Sequence, residues 1–494
     1  MTPEPASSIA RHRTAIVREG LSRPLRLALS AGLLPRDATV LDYGCGKGGD
    51  LSWLEREGYD ALGWDPVHRP DGKRRASDIV NLGYVINVIE DPAERRSTLA
   101  SAWRLARRAI VVSAMVKLEG AARAVPFGDG VVTSHGTFQK YFDQQELESY
   151  IRDCIGVEPV ALGMGVFAAA RDPSLSATLL AAKFRHRPRH LDEAMTKRLF
   201  ELHQQSLEPL IAFLSERGRP PRGEEMKRFE DAVSRFGSSS RALGILRTTL
   251  PPQFWANIQQ AARSDLLVYL ALSRFGKRPS FSELDETMRE DVRAHFGGYG
   301  RAVSEADTLL FSVGQPTALL EAARAARVGK LLPDSLYVHA DCIEDLPAAL
   351  RVYEGCARRY VGGAEGANLV KLNLANPSIS YLSYPDFDRV GHPPLARSMH
   401  VNLQSFRIRV GDMTDRANPP ILHRKELFVS ESYPGRKKFA ALTKKEEAAG
   451  LYSDVTRIGT RDGWHVQLAQ RDLVVRGHQL MRSTRPRRVS SATD

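Results

Sequence analysis

Residues 40–51 read VLDYGCGKGGDL. The apolar pair Val40 and Leu41 runs into an acid, Asp42, and then into glycines at alternate positions, Gly44, Gly46 and Gly48. A strand that ends in an acid and opens through a glycine-rich turn onto a helix builds a concavity. Backbone N–H groups and the helix N-terminus face whatever lies there. Glycine admits the left-handed or crowded backbone that such close approach demands. The spacing is G-x-G-x-G with Gly49 following, whereas dinucleotide dehydrogenases carry G-x-G-x-x-G, so the turn favours another cofactor. Cys45 sits inside the turn as a small residue.

Outward from this turn, short apolar strands alternate with helical stretches, the rhythm that yields a parallel sheet with right-handed crossovers. ATVLDYG (38–44), ALGWDP (61–66), DIVNLGYVINVIE (78–90) and RAIVVSAMV (108–116) read as successive strands. GGDLSWLEREG (48–58) reads as a helix with Leu51 and Leu54 on one face and Gly58 as its stop. Asp91 can cap a second helix, Pro92 suits its first turn, and Glu94 stands where a capping-box carboxylate reaches back; Leu99, Trp103 and Ala106 form its core face. DQQELESYIRDC (143–154) adds a helix, with Asp143 as cap, Glu146 as box partner and Phe142 and Leu147 as a hydrophobic staple. EPVALGMGVFAAARD (158–172) reads as a paired strand closing the sheet.

The fold class expected is α/β: a Rossmann-like domain over 1–175 with a basic N-terminal helix, a mainly helical region over 176–330, an α+β domain over 331–480 and a basic tail over 481–494. Ligands of open α/β sheets sit outside the carboxyl ends of the strands. Asp65, followed by Pro66, ends the second strand, where a carboxylate accepts from a ribose diol. Asp78 is placed at the edge of the next segment to accept from an exocyclic adenine amine. Asn87 lies at the mouth of the third strand as the candidate catalytic group. Phe138, Lys140 and Tyr141 in GTFQKYF combine rings with a cation, a mix suited to a nucleic-acid substrate.

The motif DYGCGKG (42–48) with GWDP (63–66) resembles class I S-adenosylmethionine-dependent methyltransferases, in which D-x-G-x-G-x-G holds the cofactor. Over nearly the whole chain, LSRPLRLALSAGLL (21–34), NLGYVINVIEDP (81–92), GTFQKYF (136–142), GKLLPDSLYVH (329–339), SYLSYPDFD (380–388) and NPPILHRKE (418–426) resemble the DNA phosphorothioation-associated methyltransferase family. That resemblance implies S-adenosylmethionine as cofactor, Asp42, Gly44, Cys45, Gly46, Gly48, Asp65, Pro66 and Asp78 as its contacts, and a bacterial DNA-modification setting with the phosphorothioation proteins as partners. It does not supply the methyl acceptor. The N/D-P-P-aromatic tetrad of amino-directed DNA methyltransferases is replaced here by NVIE (87–90), and the NPPI at 418–421 lacks the aromatic. Nor does that place hold the cysteine a C5-directed enzyme needs.

The 494 residues carry a formal charge of +12, which favours a polyanionic partner, DNA before RNA. Two clusters stand out, Arg11, Arg13, Arg18, Arg23 and Arg26 near the start and Arg482, Arg485, Arg487 and Arg488 near the end. Four cysteines without CxxC spacing argue for a reducing cytoplasm and no structural metal. No apolar run approaches the roughly 20 residues of a membrane span. In the C-terminal region Asp386, Asp388, His423, Lys425 and Glu426 are candidates for a second, nuclease-like site. Two readings of the whole stand side by side: a methyltransferase acting on nucleic acid, and a non-catalytic nucleic-acid-binding defence component whose cofactor domain is regulatory.

Overall fold

The computed structural model describes residues 11–14, 20–117, 125–133, 136–184, 208–230, 238, 241, 243–244, 246 and 251–483. Arg18, Arg485, Arg487 and Arg488 lie outside the described residues, as does the side chain of Arg13. The chain forms two compact units, 1–313 with 358–363, and 314–357 with 364–494. The region expected to be helical over 176–330 therefore divides: Pro252–Leu272, Glu286–Phe296 and Tyr299–Ser312 belong to the first unit, Pro316–Ala325 to the second.

The first unit is built on strands β1 (Thr39–Tyr43), β2 (Asp60–Trp64), β3 (Ser77–Gly83) and β4 (Ala106–Ser113). After two short strands, β5 (Val125–Phe127) and β6 (Gly130–Val132), and the dipeptide β7 (Phe138–Gln139), the hairpin β8 (Val160–Gly163) and β9 (Val166–Ala170) completes the sheet. The order is β2-β1-β3-β4-β9-β8. The first four strands pair in parallel, β9 runs antiparallel to β4, and β8 runs antiparallel to β9. The expected closing strand is thus a hairpin, turned at Met164 and at Gly165, whose φ is +70°. The third strand is also shorter than its apolar run, because Tyr84 takes a left-handed φ of 58° and its N–H is held by the Ser113 carbonyl and hydroxyl at 3.0 Å.

Alternate strand residues feed two cores, one per face. Val40, Ile79, Val111 and Ala168 pack with Leu25 and Ala28 of α1 (Arg23–Ser30) and Leu54 of α2 (Gly49–Arg56). Leu41, Val80, Ile110 and Phe167 pack with Leu99 and Trp103 of α3 (Pro92–Leu105) and Leu147 and Ile151 of α4 (Gln144–Ile155). Asp91 caps α3 by accepting from the Ala93 N–H at 2.9 Å, and the Asp143–Glu146 capping box of α4 is formed. Glu94 does not close a box on α3: its carboxylate, with that of Glu90, grips the Arg11 guanidinium at 2.7 Å.

The second unit carries a six-stranded antiparallel meander of β10 (Lys330–Leu332), β11 (Ser335–His339), β12 (Leu369–Asn373), β13 (Ser378–Ser383), β14 (Arg397–Asn402) and β15 (Ile408–Asp412) in sequential order. The hairpin β16 (Leu473–Arg476) and β17 (Gln479–Arg482) follows, so residues 481–482 of the expected tail belong to a strand. No described helix is long and apolar enough to cross a membrane.

Candidate active site

Strand order makes the site. The chain leaves β1 for β2 on one side, then returns to place β3 on the other, so the crevice opens at the carboxyl ends of β1 and β3. There the turn after β1 holds Gly44, Gly46 and Gly48 at φ of 89°, 52° and 80°, backbone that costs most other residues energy. Part of the close approach comes from the protein itself. A Cβ on Gly44 would lie 2.4 Å from Cγ2 of Val85, and one on Gly48 would lie 2.8 Å from the Arg69 guanidinium.

Asp65 stands beside the turn at the end of β2. Its carboxylate accepts the Gly46 N–H at 3.1 Å and, on the other oxygen, the N–H groups of Val67 and His68 at 3.0 and 2.8 Å. Pro66 is exposed in the turn that folds Arg69 back toward Gly48. Asp42 is buried and accepts from Asn81 Nδ2 at 2.8 Å. Burial, with the nearby carboxylates of Asp42 and Asp65, pushes the Cys45 thiol up to about 12, so it stays protonated at neutral pH.

Asn87 is buried in the segment that follows β3, and its side-chain Oδ1 has no hydrogen-bond partner. An orphaned buried acceptor is costly to maintain unless a ligand or water meets it. Its segment is fixed on both sides. The Lys140 N–H donates to the Asn87 carbonyl at 2.7 Å, and the fully buried Arg95 donates to the Ile89 carbonyl at 2.8 and 3.1 Å while pairing with Asp129 at 2.6 Å. This pairing draws Asp129 down to about 2.

Three sequence-derived candidates have different places. Asp78 opens β3 at the amino end of the sheet, where it accepts from the N–H and hydroxyl of Thr39 at 2.9 and 2.8 Å. Those bonds lower its pKa and put it at the opposite end of β3 from the glycine turn, so it is no adenine acceptor. Phe138 is buried, packed against Phe127 and under the Arg95 guanidinium, with no open face for a base. The Lys140 ammonium is neutralised by Asp129 at 3.1 Å and Glu146 at 2.8 Å. Tyr141 remains half-buried. The sequence reading missed Arg95, Asn81 and Arg69; Arg95, four residues before Leu99, lay on the helix stripe already read as apolar.

The residues weighed for a second site, whose order matches no nuclease motif, are engaged in packing. Lys425 is buried, and its Nζ meets the carbonyls of Phe387 and Val390 and His478 Nε2 at 2.8 Å, so it fastens the YPDFD loop. Glu426 accepts from Thr443, Asp388 from Tyr433, and His423 stacks with His392 and Trp464. Among the described residues no cluster of three or more His, Cys, Asp or Glu could hold a metal. Of the N-terminal basic cluster, Arg11 pairs with Glu90 and Glu94, and Arg23 donates to the Met164 carbonyl.

Residues 10–120 match the model of a family described as a methyltransferase domain. This segment is a methyltransferase domain, and its cofactor is S-adenosylmethionine. The residues present fit that cofactor: three left-handed glycines open the turn, and Asp65 keeps a carboxylate lone pair beside it. No curated protein matches the chain. Among solved structures, the 1,6-didemethyltoxoflavin-N1-methyltransferase of Burkholderia thailandensis, with 1,6-didemethyltoxoflavin and S-adenosylhomocysteine bound, is 18% identical over 33% of this chain and 79% of its own, with a TM-score of 0.24. The sugar N-methyltransferase KedS8 of a Streptoalloteichus species is 16% identical over 30% and 86%, also at 0.24.

Proposed function

We propose that the protein transfers a methyl group from S-adenosylmethionine to a nucleic acid, in the setting of bacterial DNA phosphorothioation. The observation that carries the transfer is Asn87, a buried amide with an unpartnered oxygen, in a segment after β3 that is held at the Asn87 and Ile89 carbonyls. When bound, the cofactor's sulfonium supplies an electrophilic methyl group, so the protein mainly positions and desolvates. Asp65 and the backbone of the glycine turn would hold the cofactor. Asn87 would orient the acceptor through donor and acceptor atoms at once, and the buried Ile86 and Ile89 would keep water out.

The nucleic-acid acceptor is supported by the charge of +12, and the phosphorothioation setting by the sequence resemblance. One observation favours the non-catalytic alternative. Neither Cys45, held protonated, nor Lys140, neutralised by two carboxylates, can serve as a general base. Incubation with methyl-labelled S-adenosylmethionine and separate DNA, tRNA and protein fractions decides between the two. Label in nucleic acid, reduced in Asn87→Ala, supports transfer; cofactor binding without label in any fraction supports the alternative.

A further inference from the structure

The meander of the second unit has two unlike faces. Direct partners across an antiparallel sheet share a face. One face carries Val338, Val370, Tyr381 and Met399, which are buried, and the Tyr381 hydroxyl donates to Glu354 of the helix Ala348–Val361 at 2.9 Å. The other face presents a single row through six strands: Lys330, Tyr337, Lys371, Ser380, His400 and Arg409. Each is at least partly exposed.

The row combines three basic residues with the rings of Tyr337 and His400 and the Ser380 hydroxyl. The Lys371 ammonium lies 5.4 Å from the Tyr337 ring centroid, and the Ser380 hydroxyl meets His400 Nδ1 at 3.0 Å. No acid occupies the row, and none occupies the positions two residues along each strand on the same face. Toward one end the face is closed by the protein itself, where buried His339 packs against Phe387; Tyr337 borders that end, tilted toward Phe428, and stays partly exposed. With strands about 4.8 Å apart, the row runs roughly 24 Å.

We infer that this row is a binding surface for single-stranded nucleic acid. The inference takes its ligand class from the nucleic-acid reading above. A flat track of cations with flanking rings meets phosphates and stacks unpaired bases, and base stacking on aromatic side chains is tolerant of sequence. A duplex hides its bases, and a membrane headgroup layer offers the rings nothing to stack. The three basic residues, Lys330, Lys371 and Arg409, set the electrostatic share of affinity.

The test is fluorescence anisotropy of a labelled oligothymidylate and oligouridylate long enough to cross the sheet, titrated with the full chain over a range of salt. Tyr337→Ala should weaken binding about tenfold. Lys371→Gln and Arg409→Gln should each lower the slope of log affinity against log salt by about 0.7. Each variant must keep the wild-type far-UV and near-UV circular dichroism, which shows that it is folded, and the wild-type thermal shift with S-adenosylhomocysteine, which keeps the outcome separate from the cofactor site. Unchanged affinity and slope in all three variants would overturn the inference, even where the wild-type protein methylates nucleic acid. So would tighter binding of duplex, or of phosphatidylserine vesicles, through the same residues.

Discussion

The main-chain N–H of Lys140 donates to the carbonyl of Asn87 at 2.7 Å, so a residue expected to meet substrate instead holds the one expected to act on it. Lys140 spends its side chain on Asp129 and Glu146, and Asp129 in turn pairs with Arg95, which grips the Ile89 carbonyl. The segment 87–89 is therefore clamped from the main chain of one neighbour and the guanidinium of another. An amide held in this way is preorganised, which is where positioning contributes to rate.

Asn87→Ala should lower methyl transfer about 10²-fold while leaving cofactor affinity nearly unchanged. Single-turnover label transfer, set beside calorimetric titration with S-adenosylhomocysteine, separates the two effects. Equal losses in both would place Asn87 in the cofactor pocket instead.

Asp65→Ala should act on binding. S-adenosylmethionine should raise the melting temperature of the wild-type protein, a ligand at 100 times its Kd contributing about 2.7 kcal/mol, and NAD should raise it little. The variant should show a smaller shift at the same ligand concentration. An undiminished shift would remove Asp65 from the cofactor site.

Arg95→Met leaves the Ile89 carbonyl without its donor and the Asp129 carboxylate with Lys140 alone. The expected loss is about 1–3 kcal/mol of stability, toward the lower end because Asp129 can be hydrated, together with a drop in kcat larger than any change in KM. Urea denaturation and steady-state kinetics on the same preparation check both. Lost stability with intact kcat would mean that the clamp serves only the fold.

Lys425 makes a pH-dependent contribution of known sign. Burial lowers its pKa from 10.5 to about 7, whereas in the unfolded chain it keeps its ordinary value. Between these limits the unfolded chain binds the extra proton, so stability should rise with pH across that window. The stability of the wild-type protein relative to Lys425→Met should therefore increase from pH 7 toward pH 10, read from urea midpoints. A flat difference would show that the ammonium is satisfied by the Phe387 and Val390 carbonyls throughout.

The parallel strands, the caps at Asp91 and Asp143 and the turn at Gly44–Gly48 were legible because each follows from local chemistry: period-two burial, a side-chain acceptor ahead of a helix, glycine where φ is positive. Asp65 fell beside the turn for the same reason. Asp78 was misplaced because a strand's first acid and its last look alike until the register with Thr39 is known. Phe138 and Lys140 suggested a substrate surface, yet their partners, Arg95 and Asp129, come from distant segments that no spacing rule links. The row from Lys330 to Arg409 was invisible for a related reason: its members are drawn one from each of six strands, and only the register aligns them.

Val85 over Gly44 has a consequence for how this sequence can drift. Its Cγ2 occupies the space a Cβ would need at 2.4 Å, so tolerance at position 44 is conditional on the residue at 85. Trimming Val85 to alanine relieves the collision and nothing more, since the +89° torsion at Gly44 still penalises any L side chain there. The pair is thus an asymmetric epistatic gate: position 85 can change while 44 stays glycine, but no compensating change at 85 opens 44.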